Sequence, residues 1–76
     1  MGLNWGTEVE PQWPEVDRVR EGAAAFLNAL SLPAEVVDAV TMVTCELTEN
    51  AIKYGEYNAG DRVQVAITER PHGILV

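Results

Sequence analysis

The chain reads CELTENAIKYG from Cys45 to Gly55. An α-helix turns about 100° per residue, so Glu46, Asn50 and Lys53 fall within roughly 60° of one another on one helix face. A carboxylate, an amide and an ammonium group therefore line up on consecutive turns. Beside them runs an apolar sector with helical spacing, made of Val36, Val40, Val43, Leu47, Ala51 and Tyr54. We expect this apolar sector to be buried and the polar row to border a cleft.

Composition limits the classes of protein to consider. With 76 residues the chain forms one domain, and a chain of this size buries only about 60–65% of its unfolded surface. A hydrophobic content of 47% is typical of a globular protein. The net charge of −7, with only five Lys and Arg residues, argues against a general nucleic-acid or anionic-membrane binder.

The single cysteine also limits the chemistry. Cys45 has no second cysteine for an internal disulfide, and the sequence has no Cys or His pair for zinc, so we expect it to pack as a small apolar residue. No signal segment is evident, and no apolar run approaches the ~20 residues that span a bilayer. We therefore predict a soluble, cytoplasmic protein.

The first half of the chain predicts one strand and two helices. Leu3 to Glu10 has the alternation of an edge strand. Helical periodicity begins at Pro14 and should end near Leu30, with Gly22 marking either close packing or a tolerated glycine. A second helix is predicted from Pro33 to Tyr54, with its N-terminal cap near Ser31 or Leu32 and Gly55 as a left-handed residue at its C-terminus.

The second half predicts two further strands. Val63, Val65 and Ile67 alternate with polar residues, which is typical of a half-buried strand. A hairpin turn is predicted at residues 71–73, including His72, and another strand begins at Ile74. The order strand, helix, long helix, strand, strand predicts an α+β fold.

The spacing Glu-x-x-x-Asn-Ala-x-Lys-Tyr, from Glu46 to Tyr54, resembles the N-box of the GHKL ATPase superfamily, which includes gyrase, MutL and the histidine kinases. Sensor histidine kinases usually carry an amide where Glu46 stands, so the small anti-sigma-factor serine kinases are the closer match. This resemblance implies a Bergerat-type two-layer α/β sandwich, in which helices pack on one face of a mixed, mostly antiparallel sheet. Residues 1–76 would form the N-terminal part of that histidine-kinase-like ATPase domain.

The resemblance also implies roles for individual residues. In the family, the residue matching Glu46 is the general base, the residue matching Asn50 binds Mg²⁺, and a basic residue matching Lys53 contacts phosphate in some branches. ATP and Mg²⁺ are then the cofactors. The partner would be a regulatory protein, either an anti-anti-sigma-like protein phosphorylated on serine or a sequestered sigma factor. These roles suit the residue types, because phosphoryl transfer needs a metal, a proton acceptor and charge on the phosphates.

Two family motifs are not found in these residues: the Asp-x-Gly-x-Gly motif that binds adenine, and the glycine-rich lid. On the family pattern the adenine-binding aspartate would follow Val76, and Asp61 lies on the wrong side of the predicted hairpin. We expect either a truncated ATPase domain or a reduced relative that holds nucleotide weakly. Kinase or ATPase activity is expected only if the missing half is supplied.

Two alternatives remain open. Glu46, Glu49 and Lys53 have the spacing of a solvated helix face stabilised by charge pairs, which needs no ligand. The chain would then be a nucleotide-free interaction module, and its open sheet edge would pair with another copy to form a homo-oligomer. Thr44 and Thr48 are expected to be packing or solvated hydroxyls rather than nucleophiles, because no histidine is placed to activate them.

Overall fold

The computed structural model describes residues 3–70 and 73–76. Its elements are β1 (Asn4–Val9), α1 (Glu15–Ala29), α2 (Ala34–Tyr54), β2 (Val63–Arg70) and β3 (Gly73–Leu75). This is the predicted order, and every predicted element is present. Of the hairpin turn predicted at residues 71–73, residues 71–72 lie outside the described residues, and Gly73 is the first residue of β3. No helix in the described part of the chain is both long and apolar enough to cross a membrane.

The three strands form one sheet in the order β1-β2-β3, and both pairings are antiparallel. The mixed sheet that we expected is therefore antiparallel throughout residues 3–70 and 73–76. β1 pairs with β2 from Asn4 opposite Thr68 to Val9 opposite Val63. β3 pairs only with residues 68–70 of β2. Within the described chain, residues 63–67 of β2 thus have a neighbouring strand on the β1 side alone.

The strands show which face carries the helices. Val63, Val65 and Ile67 of β2 are buried, whereas Gln64 and Ala66 between them are exposed. Because successive side chains of a strand point to opposite faces, both helices lie on one face. α1 packs near β1 and α2 packs over β2. The result is a small α+β domain with two helices and a three-stranded sheet.

Helix α1 has its buried residues at helical spacing: Val16, Val19, Ala23 and Leu27. Gly22 lies beside this row against the indole of Trp5. A Cβ atom at Gly22 would lie 2.6 Å from Cζ2 of Trp5, which is closer than two non-bonded carbon atoms can approach. Of the two interpretations of Gly22, close packing is therefore the one that holds.

The buried face of α2 differs from the prediction. Val36, Val43, Leu47 and Tyr54 are all exposed, so their predicted burial is wrong. The buried residues are instead Val37, Thr44, Cys45 and Thr48. This face is offset by one residue from the predicted one, which corresponds to a rotation of about 100° around the helix axis.

Two threonines explain how this rotation is tolerated. The Thr44 hydroxyl donates to the Val40 carbonyl at 2.7 Å, and the Thr48 hydroxyl donates to the Thr44 carbonyl at 2.8 Å. A buried polar group costs little once it is hydrogen-bonded, so these side chains can face the sheet as valines would. Of the two roles expected for these threonines, packing or solvated hydroxyls, packing is the one that holds, and the predicted packing of Cys45 is confirmed.

The C-terminus of α2 is closed without a left-handed residue. Gly55 is extended, with φ −74°, so the predicted left-handed cap is wrong. The Gly55 amide and the Tyr57 hydroxyl both donate to the Ala51 carbonyl, at 3.0 and 2.6 Å. A Cβ at Gly55 would lie 2.5 Å from the Tyr57 ring. Glycine is needed here for the close approach of Tyr57.

The connection between the helices also differs in detail. Ser31, with φ 57°, is the left-handed residue, and it follows the end of α1. The residue that caps α2 is Pro33, which has no side-chain hydrogen bond to the helix. The predicted cap at Ser31 or Leu32 is therefore wrong, because Ser31 terminates the first helix rather than starting the second.

Candidate functional site

The three polar residues of the candidate site lie together on α2. Glu46, Asn50 and Lys53 are exposed and occupy consecutive turns of the same helix face, as the helical spacing predicted. Within the described residues, none of their side chains makes a hydrogen bond or an ion pair with another residue. The Lys53 ammonium lies 5.2 Å from the ring centre of Tyr54, which is within the range of a cation–π contact. We call these three residues the polar row.

An exposed apolar surface adjoins the polar row. Val43, Leu47 and Tyr54 are 46%, 50% and 72% exposed. These residues were expected to form the buried wall of a cleft. Because the helix is rotated, they are open to solvent instead, and the polar row borders a free apolar surface.

Two grooves lie between α2 and the sheet on the β3 side. The first is lined by Leu47, Thr48 and Ala51 of α2, by residues 63–66 of β2 and by Val76. The second lies nearer the N-terminus of α2 and is lined by Leu32, Val36, Val40 and the hairpin residues around Ile74. Both are largely apolar, and neither includes Asn50 or Lys53.

On the side of Glu46 that lies away from the exposed apolar surface, α2 faces α1. There Arg20 lies close to Cys45, with Asp38, Glu46 and Glu49 around the same shallow depression. The guanidinium of Arg20 also donates to the Asp17 carboxylate. Burial raises the pKa of the Cys45 thiol, and the nearby Arg20 charge only partly opposes this. The thiol is therefore protonated at neutral pH, and it has the character of a packing group rather than a nucleophile.

Sequence reasoning missed Arg20 as a neighbour of the site. Arg20 belongs to α1 and Cys45 to α2, so only the packing of the two helices brings their side chains together. The helical periodicity of each segment predicts which side of a helix is apolar, but not which residues of two helices meet.

The donor atoms of the polar row suit one mode of metal binding. No group of three or more His, Cys, Asp or Glu side chains in residues 3–70 and 73–76 could hold a metal ion by itself. Asn50 offers one amide oxygen to a metal ion, with the Glu46 carboxylate one turn earlier as the proton acceptor. Mg²⁺ commonly takes one or two protein oxygens and completes its octahedral shell with water and phosphate oxygens. The row fits that mode and not an all-protein cage.

Comparison of the chain with protein-family models, with curated proteins and with solved structures yields no match.

Proposed function

We propose that the polar row binds the phosphates of a magnesium nucleotide, and that the chain is an ATP/Mg-binding domain of the anti-sigma serine kinase type. The observation that carries this proposal is the placement of Glu46, Asn50 and Lys53. They lie on consecutive turns of one exposed helix face, and no side chain of the described residues neutralises them by an ion pair. The carboxylate can accept a proton, the amide oxygen can hold a metal ion, and the ammonium group can meet a phosphate.

Each residue has a role that its chemistry supports. The Asn50 amide oxygen would hold Mg²⁺, which when bound offsets negative charge on the phosphate oxygens. Lys53, one turn further along α2, would meet a phosphate as a point charge. Glu46, one turn earlier, would accept the proton of the attacking hydroxyl or water.

The fold is consistent with this proposal. Two helices on one face of an antiparallel sheet, with the N-box-like sequence on the longer helix, support assignment to the Bergerat type. The polar row would supply the phosphate end of the site only, since the Asp-x-Gly-x-Gly motif that binds adenine in the family is not in the sequence. The regulated partner would be a protein with an acceptor serine or a sigma factor.

Calorimetric titration with Mg-ADP tests the proposal. We expect weak binding that requires the metal and disappears in EDTA, because the row contacts only the phosphate end of the nucleotide. Asn50→Ala should remove the metal-dependent part of the heat. Glu46→Ala should leave binding intact, since a proton acceptor for the nucleophile is not needed to hold ADP.

Asn28→Ala provides the matched control, because Asn28 is an exposed asparagine at the other end of the molecule, on α1. It should bind Mg-ADP as the parent protein does. Absence of heat at millimolar Mg-ADP, or equal loss of binding in Asn28→Ala and Asn50→Ala, would contradict a phosphate site on the polar row.

A second candidate function is a nucleotide-free interaction or self-associating module. The observation that favours it is the exposed apolar surface formed by Val43, Leu47 and Tyr54. Monomeric proteins seldom leave a large contiguous apolar patch open to water. On this alternative α2 binds protein instead of nucleotide, and titration with Mg-ADP would give no heat in the parent protein or in Asn50→Ala.

A further inference from the structure

Strand β1 forms one outer edge of the sheet, and within the described residues no strand lies beyond it. The Glu69 amide donates to the Leu3 carbonyl at 2.8 Å, which fixes the pattern of the ladder between β1 and β2. Because hydrogen-bonded pairs alternate in an antiparallel ladder, Asn4, Gly6 and Glu8 direct their amides and carbonyls away from β2. All three residues are exposed. The edge therefore presents a row of backbone donors and acceptors to another strand.

This edge lacks the features that usually keep edge strands from pairing. It contains neither proline nor lysine, and its one-to-one register with β2 over residues 4–9 includes no bulge. Glu8 is the only charged residue of β1, and its carboxylate is turned inward, where it accepts a hydrogen bond from the side-chain amide of Gln64 at 2.9 Å. An edge of this kind is a template for pairing with another chain.

The sequence of the edge is complementary to itself in one antiparallel register. When a two-fold axis passes between two copies of Gly6, Asn4 of each copy lies opposite Glu8 of the other. This register pairs every outward-directed residue of β1, and it places an amide side chain beside each Glu8 carboxylate. An axis at Glu8 would instead set two carboxylates directly opposite each other, which is destabilising. Axes elsewhere along β1 pair fewer outward-directed residues within the strand.

We propose that β1 pairs antiparallel with β1 of a second copy of this chain, about a two-fold axis at Gly6, and joins the two sheets edge to edge. Trp5 supplies the apolar part of this contact. Its indole packs on Gly22 of α1 and remains partly exposed beside the edge. In the proposed register Trp5 lies opposite Thr7 of the second copy in a non-hydrogen-bonded pair, where cross-strand side chains lie closest.

The other free edge of the sheet is less suited to a second copy. On β2, residues 63–67 have no neighbouring strand on the side away from β1, but β3 occupies that side at residues 68–70. Val76, which follows β3, lines the groove at this edge. Two copies of β2 that paired here would each run into β3 and Val76 of the other copy.

The proposed contact leaves the polar row free. α1 is the helix that packs near β1, whereas the grooves beside α2 lie on the β3 side of the sheet. Pairing of β1 therefore does not cover Glu46, Asn50 or Lys53, and it does not depend on nucleotide binding.

Sedimentation equilibrium without nucleotide and in EDTA tests the proposal separately from the proposed function. We expect a reversible monomer–dimer equilibrium with no larger species, because an isologous contact closes on itself. Gly6→Pro should raise the dissociation constant at least about tenfold, since the dimer loses the pair of hydrogen bonds exchanged at its centre. Ala66→Pro is the matched control. It removes an amide that points away from β1, on β2, and should leave the constant unchanged.

Cysteine cross-linking tests the register. A Cβ atom at Gly6 would lie 3.5 Å from the Val65 carbonyl oxygen, an ordinary contact, so Gly6→Cys in a Cys45→Ala background should fold. Opposed residues of a hydrogen-bonded pair have Cα atoms about 5.5 Å apart, which a disulfide can span. We expect oxidised glutathione to link this variant into a covalent dimer. Ala66→Cys in the same background, exposed on the same face of the sheet, should stay unlinked.

Circular dichroism would verify that each variant remains folded. A monomer at all concentrations up to millimolar, assembly beyond a dimer, or a dimer that persists in folded Gly6→Pro would overturn the proposal. Loss of the dimer in folded Ala66→Pro, or equal cross-linking at positions 6 and 66, would overturn it as well.

Discussion

The two sides of α2 are the reverse of what their hydrophobicity suggests. The buried side contains Thr44 and Thr48, while the exposed side next to it contains Val43 and Leu47. The threonines can be buried because each hydroxyl is satisfied by a carbonyl one turn earlier in the same helix. The neighbouring face, with Val43 and Leu47, remains exposed to solvent and is available to bind a ligand or a partner. The difference teaches that internal hydrogen bonding, and not hydropathy alone, decides which side of this helix enters the core.

A pair of neighbouring substitutions gives the largest expected effect. Val37→Asp would place an unpaired carboxylate in the core and should destabilise the protein by at least about 3 kcal/mol, which is enough to unfold a small domain. Val36→Asp makes the same change one residue earlier, at a position 36% exposed, and should cost less than about 1 kcal/mol. Urea unfolding followed by circular dichroism measures both.

Equal destabilisation by the two variants, or a larger effect at Val36, would contradict burial of the side of α2 that contains Val37. The comparison is well controlled, because the two positions share residue type, helix and substitution and differ only in the side of the helix that they occupy.

The rate of thiol alkylation distinguishes the buried side of α2 from its exposed side. Burial raises the pKa of Cys45, so its thiolate fraction in the native protein is below that of the unfolded chain at pH 8. We expect alkylation by iodoacetamide to be at least about tenfold slower in the native protein than in urea. A cysteine at the exposed position 42, made by Met42→Cys in a Cys45→Ala background, should react at the rate of the unfolded chain.

The same pKa shift predicts a pH dependence of stability. An acid whose pKa is raised by folding stabilises the native state fully below its unfolded pKa. That contribution is lost as the pH rises through the unfolded pKa toward the folded one. The parent protein should therefore lose stability in mildly alkaline solution relative to Cys45→Ala. An alkaline stability profile that is identical in the two proteins would contradict burial of the thiol.

The smallest effect is expected at Thr48. Thr48→Val removes the hydroxyl and its hydrogen bond to the Thr44 carbonyl but keeps the shape of the side chain. That carbonyl still has a helical backbone partner, so no buried group is left unsatisfied. The free energy of unfolding should change by less than about 1 kcal/mol in either direction. A loss of several kcal/mol would mean that the Thr48 hydroxyl makes a contact beyond the helix backbone.

The fold was largely predictable because its elements have strong local signals. The alternation of Val63, Val65 and Ile67 predicted β2, and the periodicity of α1 and α2 predicted both helices to within about two residues. The common face of Glu46, Asn50 and Lys53 follows from helical spacing alone, so this part of the candidate site was predictable as well.

What could not be predicted depends on contacts between distant residues. The rotation of α2 depends on how its threonines pack against the sheet. The predicted and the observed buried faces differ by one residue along the helix, and periodicity alone does not distinguish two such faces. The extended Gly55 reflects the return of Tyr57 to the helix end. The approach of Arg20 to Cys45 depends on the packing of two helices. None of these has a signal in a short stretch of sequence.

Amide chemical shifts measured while Mg-ADP is added test the central claim most directly, because they report binding residue by residue along α2. We predict that the largest shifts occur at and around Glu46, Asn50 and Lys53, that the amides of Val37 and Thr44 on the buried side change little, and that EDTA reverses the shifts. An absence of shifts at millimolar Mg-ADP, or shifts confined to the loops at residues 10–12 and 58–62, would contradict a phosphate site on the exposed face of α2.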